Sequence, residues 1–229
     1  MTGDVDLATA VRSVVRSAPG DADRAAAQQR YMRSSLPFHG LAVPTVRALV
    51  RGVTRELPRP GYAQWATAVR TLWDTAELRE ERYAALGVAR SVPAHARAEQ
   101  SLPLYRHLVV TGAWWDLVDE TAAHLVGAVL RAHPATADTL RRWACEDDRW
   151  LRRTAILAQL RSRAATDRGL LTDVIEPSLG HPDFFVRKAI GWSLRQYAHV
   201  DDDAAAWVRA VVEGYGDRLS PLSRREALR

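Results

Sequence analysis

The sequence contains a single cysteine, Cys145, and a single lysine, Lys188. One cysteine excludes an internal disulfide and a thiolate-cluster metal site, and beside Trp143 on a predicted helix it is expected to be a small core residue. No apolar run reaches the roughly 18 residues that a membrane span needs. Residues Met1 to Leu7 lack the basic-then-apolar order of a signal peptide. We therefore expect a cytoplasmic protein that does not contact a membrane.

Glycine and proline are also too few, at 13 and 11 residues, for a low-complexity or collagen-like chain. Phenylalanine is rare, with 3 residues, whereas tryptophan supplies 8. With 229 residues, 47% hydrophobic and 26% charged, the chain has the composition of an ordinary globular protein of one or two domains. It is long enough to bury a sizeable core.

Positive charge is in excess, since 32 basic side chains face 27 acidic ones and give a net charge of +5. All of the basic residues except Lys188 are arginine. This balance favours a phosphate-rich partner. A compositional drift toward Ala and Arg explains part of the excess, so charge alone favours nucleic acid only modestly.

Helix-length runs follow one another along the whole chain, separated by Pro, Gly or Ser. They are Val5 to Ser17, Asp21 to Ser34, Val46 to Leu57, Gly61 to Trp73, Ala76 to Val88, Ala94 to Val109, Ala113 to Ala132, Pro134 to Glu146, Asp148 to Arg163, Asp167 to Leu179, Pro182 to Ala198, Asp202 to Gly214 and Ser220 to Leu228. No stretch shows the sustained period-two alternation of a strand. The predicted fold class is all-α.

A weak internal repeat relates two of these helices. At an offset of 34 positions, the matching pairs are Arg153 with Arg187, Ala155 with Ala189, Ile156 with Ile190 and Leu160 with Leu194. Two helices per offset is typical of a helical repeat. We therefore predict one domain over residues 1–229, a superhelical stack of HEAT-like helix pairs that forms a curved solenoid with a concave binding face.

The helix from Pro182 carries a basic face opposite its apolar stripe. At about 100° per residue, the apolar stripe contains Val186, Ile190, Leu194 and Tyr197. The opposite face carries Lys188, Trp192, Arg195 and His199. Cations with an interleaved aromatic ring suit binding to a sugar-phosphate chain. Packing of Trp192 on a neighbouring helix pair is the alternative.

Two charged residues lie where apolar ones are expected. Asp119 falls at the margin of the stripe that runs from Trp114 through Val118, while Asp116 and Glu120 point further out and are expected to be solvated. Arg153 lies within the inward stripe of its own helix. A buried charge needs a partner. Arg153 therefore either pairs with an acidic group such as Asp119 or holds a phosphate in a groove.

With these residues, the sequence resembles the AlkD-like family of DNA alkylation repair glycosylases, which are HEAT-like repeat proteins. The matching stretches are YMRSSLPFHGLAVPTVR (Tyr31 to Arg47), WWDLVDE (Trp114 to Glu120), WLRRTAIL (Trp150 to Leu157), FFVRKAIGWSLRQYA (Phe184 to Ala198) and LSPLSRREAL (Leu219 to Leu228). They keep their order over almost the whole chain.

The resemblance implies a role for each matching residue. Trp115 and Trp192 would contact the damaged nucleotide, Asp119 would be the catalytic carboxylate, and Arg153 would hold a phosphate or orient the carboxylate. The remaining predicted DNA contacts are Tyr31, Arg187, Lys188, Arg195 and His199.

The implied function is a DNA glycosylase that hydrolyses the N-glycosidic bond of cationic N3- or N7-alkylated purines in duplex DNA and leaves an abasic site. Because lyase activity normally needs an amine and the chain has one lysine, the enzyme is predicted to be monofunctional. Neither a cofactor nor a metal is expected, and the protein is expected to be monomeric. The alternatives are a non-catalytic DNA- or protein-binding scaffold, and a self-resistance glycosylase that acts on the bulky adducts of a natural product.

Overall fold

The computed structural model describes residues 6–229, so the predicted helix start at Val5 and most of the Met1 to Leu7 segment lie outside the described residues. Within residues 6–229 the regular elements are helices, and the all-α prediction is confirmed. The helices cluster into two compact units, one that ends at Ala96 and one that runs from Arg97 to Arg229. A single domain over the whole chain stays a prediction.

The N-terminal unit consists of α-helices and their connecting loops. They are α1 (Leu7–Ser17), α2 (Ala22–Met32), α3 (Val43–Glu56), α4 (Tyr62–Asp74), α5 (Arg79–Ser91) and α6 (Pro93–Ala96). Helix α5 packs on α3 and α4, and α1 packs on the same two helices. Trp65 is fully buried here, and its indole N–H donates to the carbonyl of Val88 at 2.9 Å, so the burial leaves no polar atom without a partner.

A buried carboxylate fixes the loop before α3. Glu80 accepts hydrogen bonds from the backbone N–H groups of His39, Gly40 and Leu41 at 2.9 to 3.1 Å. Gly40 adopts a φ of 88° in this loop, and an added Cβ would lie 2.1 Å from the carbonyl oxygen of Asp21. Glycine is therefore required at this close approach of two backbone segments.

The C-terminal unit holds the predicted catalytic residues. Its α-helices are α7 (Leu102–Gly112), α8 (Trp115–Glu120), α9 (Gly127–Ala132), α10 (Ala137–Ala144), α11 (Arg149–Leu157), α12 (Arg168–Ile175), α13 (Phe184–Ala198), α14 (Asp202–Tyr215) and α15 (Pro221–Ala227). Helix α11 packs on α7, α8 and α13, α13 packs on α15, and α10 packs on α12. Helices α8, α11 and α13 are thus successive neighbours, and they bring distant parts of the sequence together.

Acidic N-caps begin several of these helices, as their sequence positions predict. The side chains of Asp148, Asp167 and Asp201 each accept a backbone N–H of the first turn of α11, α12 or α14. The helix predicted from Pro182 starts two residues later, at Phe184. Asp183 is the N-cap of α13, and Pro182 precedes it.

Three predicted helices have different bounds in the structure. The run from Ala94 to Val109 breaks after Ala96, and α7 starts at Leu102 with Pro103 in its first turn, where a missing N–H costs no helical hydrogen bond. The run from Asp148 to Arg163 ends as an α-helix at Leu157. Cys145 was expected in the core and is exposed, because α10 ends at Ala144 and Cys145 is its C-cap.

The predicted helix from Ala113 to Ala132 contains a π-helical segment. Residues Thr121–Val126 form this segment between α8 and α9, directly after Asp119 and Glu120. Segments of this kind are rare and often lie at functional sites. At its end, an added Cβ on Gly127 would lie 2.2 Å from the carbonyl oxygen of Ala158, so glycine permits close packing against the end of α11.

None of the helices in residues 6–229 is long and apolar enough to cross a membrane.

Candidate carboxylate site and nucleic-acid interface

The centre of the candidate site is an ion pair between α8 and α11. Arg153 donates from Nε to Oδ1 of Asp119 at 2.6 Å and from Nη2 to Oδ2 at 2.8 Å. This two-bond arrangement fixes the plane of the carboxylate as well as its position. The Asp119 side chain keeps 15% of its surface exposed, whereas Arg153 keeps 4%. The Asp119 side chain is therefore partly accessible to solvent, whereas the Arg153 side chain is nearly buried.

Arg153 also connects this pair to a third helix. Its Nη1 donates to the carbonyl oxygen of Phe185 in the first turn of α13. All three of its nitrogen atoms thus have acceptors within the protein, as a nearly buried arginine requires. Of the two predicted roles of Arg153, orientation of the carboxylate is the one that this geometry supports.

The surroundings of Asp119 act on its protonation in opposite directions. Burial raises the pKa of the Asp119 carboxyl above its ordinary value, and the nearby charge of Asp116 adds to the increase. The hydrogen bonds and charge of Arg153 oppose this shift. The neighbouring Asp116 and Glu120, expected to be solvated, are half-buried.

An aromatic cluster lies where α8, α11 and α13 begin. The ring of Phe185 is 5.4 Å from that of Trp114 and 5.0 Å from that of Trp150, measured between centroids. The guanidinium of Arg153 lies 6.0 Å from the ring of Phe185. This packing holds the starts of the three helices together beside the ion pair. Trp114, the first of the two adjacent tryptophans, therefore has a packing role.

The two predicted lesion-contacting tryptophans are both half-buried. Trp115 lies one helical turn before Asp119 on α8, so the two side chains share a face. Trp192 lies seven residues after Phe185 on α13, which places it on the same face about 10 Å further along the axis. Its helix also supplies the carbonyl that Arg153 binds.

The basic face of α13 is held by an acid that the sequence analysis did not identify. The carboxylate of Glu226 on α15 pairs with Lys188 at 2.8 Å, Arg195 at 3.0 Å and Arg229 at 2.8 Å. Glu226 is buried, and the hydrogen bond from Lys188 lowers its pKa, with the charges of Arg229 and Arg195 adding to the shift. In the sequence, Glu226 stands beside two arginines at the end of a short helix, a pattern that resembles an ordinary solvated surface.

The other predicted DNA contacts lie in different surroundings. His199 is exposed at the C-cap of α13. Arg187 is half-buried, and its backbone carbonyl accepts a hydrogen bond from Ser223 of α15 at 2.8 Å. Tyr31 is exposed near the end of α2 in the N-terminal unit. The structure therefore places the other predicted residues on α8, α11 and α13, and Tyr31 in the separate unit.

No group of three or more His, Cys, Asp or Glu side chains that could hold a metal ion occurs in the part of the chain that the structure describes. The chemistry available at this site is that of an oriented carboxylate, indole rings and cations.

Comparison with known proteins identifies the family of this chain. The sequence profile of a family described as DNA alkylation repair enzyme matches residues 17–229. A solved structure described as a predicted DNA alkylation repair enzyme from Enterococcus faecalis is similar to this chain, with a TM-score of 0.78 and 27% sequence identity, over 91% of this chain and 94% of that chain. No curated protein matches the chain. Because the profile match extends over nearly the whole length, this chain belongs to the DNA alkylation repair enzyme family.

Proposed function

We propose that the protein is a monofunctional DNA glycosylase that hydrolyses the N-glycosidic bond of cationic N3- or N7-alkylated purines in duplex DNA. Family membership supports alkylated DNA as the substrate. The observation that carries the proposal is the carboxylate of Asp119, which Arg153 orients with two hydrogen bonds while the Asp119 side chain keeps partial access to solvent. Trp115 lies one turn away on the same helix.

The reaction needs little acid catalysis, since an alkylated purine already carries a positive charge. When the glycosidic bond breaks, its electron pair moves to the base, which leaves as a neutral molecule. The sugar then acquires oxocarbenium character at C1′. Asp119 stabilises this charge, as carboxylates do in glycoside hydrolysis. A water molecule adds to C1′ and loses a proton, which yields the abasic site.

The two tryptophans provide selectivity for charge. The face of an indole attracts a cation by roughly 0.5 to 2 kcal/mol. Trp115 and Trp192 would therefore favour the cationic base and the developing sugar cation over an undamaged nucleotide.

The ion pair of Lys188 with Glu226 argues against lyase activity. A Schiff base requires a free amine, whereas Nζ of Lys188 is held in an ion pair 2.8 Å from the buried carboxylate of Glu226. The product should therefore be an intact strand with an abasic site. The DNA strand should break only when alkali is added after the reaction.

The test is the release of 7-methylguanine from methylated duplex DNA by the wild type and by Asp119→Asn. We expect the variant to be slower by on the order of 100-fold or more. Glu120→Gln is the matched control, because it changes the adjacent half-buried carboxylate, which pairs with His124 instead. Equal release by the wild type and Asp119→Asn contradicts the assigned role. DNA binding without release by the wild type identifies a non-catalytic scaffold.

A further inference from the structure

Glu226 is the single carboxylate of the C-terminal helix α15, and it is almost completely covered. Its side chain is 3% exposed, while its partners Lys188 and Arg195 are 37% and 27% exposed. With Arg229 as the third partner, one negative charge faces three positive ones. The cations thus cover the acid, and the cluster keeps a net charge of +2.

The contact between α15 and α13 is unusually close at the same place. A Cβ added to Gly191 would lie 2.4 Å from Cβ of Glu226 and 2.6 Å from the carbonyl oxygen of Ser223. The hydroxyl of Ser223 donates to the carbonyl of Arg187 one turn earlier on α13. Helix α15 therefore lies in a fixed position against α13 at Gly191, the residue that precedes Trp192.

Helical geometry places the paired cations around the indole. Lys188 precedes Trp192 by four residues and Arg195 follows it by three, so all three side chains share one face. The Cα atoms of Lys188 and Arg195 lie about 10 Å apart along the helix axis, and their charged groups converge on the same carboxylate. Each cation uses one donor for Glu226 and retains further N–H groups that can bind an anion.

We propose that Glu226 is a positioning residue, which holds Lys188, Arg195 and Arg229 as one preorganised site for a DNA backbone phosphate next to Trp192. This inference rests on the proposed function and deepens it. Long basic side chains lose considerable freedom when they bind an anion, and a partner that already restrains them reduces that loss. A phosphate held at this site would fix the strand while the indole contacts the nucleotide.

The test is a double-mutant cycle that combines Glu226→Gln with a cation variant in which Lys188, Arg195 and Arg229 are all replaced by Gln. Glu226→Gln should slow single-turnover release of 7-methylguanine about tenfold, since the three restrained side chains become free. Its affinity for an undamaged duplex should be equal to or higher than that of the wild type, because the net charge rises by one. Adding Glu226→Gln to the cation variant should cause no further loss, since Glu226 acts through those cations.

The proposal is overturned if Glu226→Gln releases 7-methylguanine at the wild-type rate. It is also overturned if Glu226→Gln still slows release tenfold when the cations have already been replaced. A loss of release rate accompanied by an equal loss of affinity for the undamaged duplex would indicate only a structural role, which overturns the proposal as well. Circular dichroism checks that each variant is folded, and Glu226→Asp replaces Gln in the cycle if the Gln variant is not. If the wild type releases no base, the proposed function fails. The same cycle is then measured by binding, as the affinity for a duplex with a tetrahydrofuran abasic-site analogue divided by the affinity for an undamaged duplex.

Discussion

Asp119 and Arg153 form an ion pair whose two members differ in their access to solvent. The acid lies at the margin and remains partly open, while the base is buried between three helices. Removal of either partner therefore has different consequences. Without Asp119 the reacting charge loses its stabiliser, whereas without Arg153 the carboxylate loses its orientation and the junction of α8, α11 and α13 loses a link.

Substitution of Arg153 should destabilise the protein. In Arg153→Ala, a mostly buried carboxylate and the Phe185 carbonyl lose their donors, and breaking such a pair costs about 3 to 5 kcal/mol of unfolding free energy. Denaturant-induced unfolding monitored by tryptophan fluorescence measures this loss. Arg149→Ala is the control, because Arg149 is 54% exposed in its pair with Asp183 and its loss should cost less than about 1 kcal/mol. Equal costs for the two variants would show that Arg153 has no special structural role.

The pH dependence of base release should report the protonation of Asp119. Only the ionised carboxylate stabilises the sugar cation, and burial raises the pKa of Asp119. Activity should therefore fall on acidification with a midpoint above about pH 3.9, the ordinary pKa of aspartate. The single-turnover rate, measured from neutral to acidic pH and corrected for spontaneous release, gives the midpoint.

Arg153→Lys should move that midpoint further toward neutral pH. The hydrogen bonds of Arg153 favour the ionised carboxylate, and a lysine replaces two fixed donors with one flexible group. A midpoint unchanged by this substitution would indicate that another group controls the acid limb. Circular dichroism over the same pH range separates protonation from unfolding.

At the scale of the helices, Gly127 links the π segment to the end of α11. An alanine at this position would force its Cβ against the Ala158 carbonyl, and since that atom belongs to the backbone, two segments must move apart. We expect Gly127→Ala to cost about 1 to 3 kcal/mol of unfolding free energy.

Gly52→Ala is the matched control for this prediction. Gly52 also lies in a helix, α3, and nothing lies within 4 Å of an added Cβ. The change should therefore stabilise the protein by roughly 0.5 to 1 kcal/mol, since alanine is the better helix former. Thermal unfolding of both variants compares them directly, and a shift of the same sign in both would contradict the packing role of Gly127.

Sequence patterns predicted the helices well where the apolar period is regular. Helix α13, expected from Pro182 to Ala198, spans Phe184–Ala198. Sequence patterns failed at two features, the π segment and the break after Ala96. The π segment at Thr121–Val126 keeps an apolar pattern close to that of an α-helix, and only its packing against α11 distinguishes it. The break after Ala96 depends on Pro103, which suits either a kink or a new start.

Among the site residues, the sequence pattern could identify Arg153 but not Glu226. A helical wheel predicts that Arg153 points inward, and a buried arginine requires a partner, so the candidate acid could be named beforehand. Glu226 lies on a seven-residue helix rich in charge, where no wheel identifies a buried face. Its burial arises from contact with Gly191 and two cations of α13, which only the tertiary structure reveals.

At the scale of the whole molecule, the excess of positive charge predicts salt-sensitive binding to DNA. Each phosphate contact contributes about 0.9 to the slope of the logarithm of the binding constant against the logarithm of salt concentration. If Lys188 and Arg195 contact phosphates, replacing both with glutamine should reduce the slope by roughly 2. Titration of a labelled undamaged duplex at several salt concentrations measures this slope.

A charge-matched control decides whether this effect belongs to the α13 face or to net charge in general. Arg141 and Arg142 are exposed on α10, which packs on α11 and α12 and itself carries none of the predicted DNA contacts. Their joint replacement with glutamine also removes two positive charges, but it should leave the slope nearly unchanged, because screening confines exposed charges to a range of about 10 Å. Equal reductions of the slope for the two double variants would mean that DNA binding depends on the total charge of the protein. The basic face of α13 would then not be a specific DNA-binding surface.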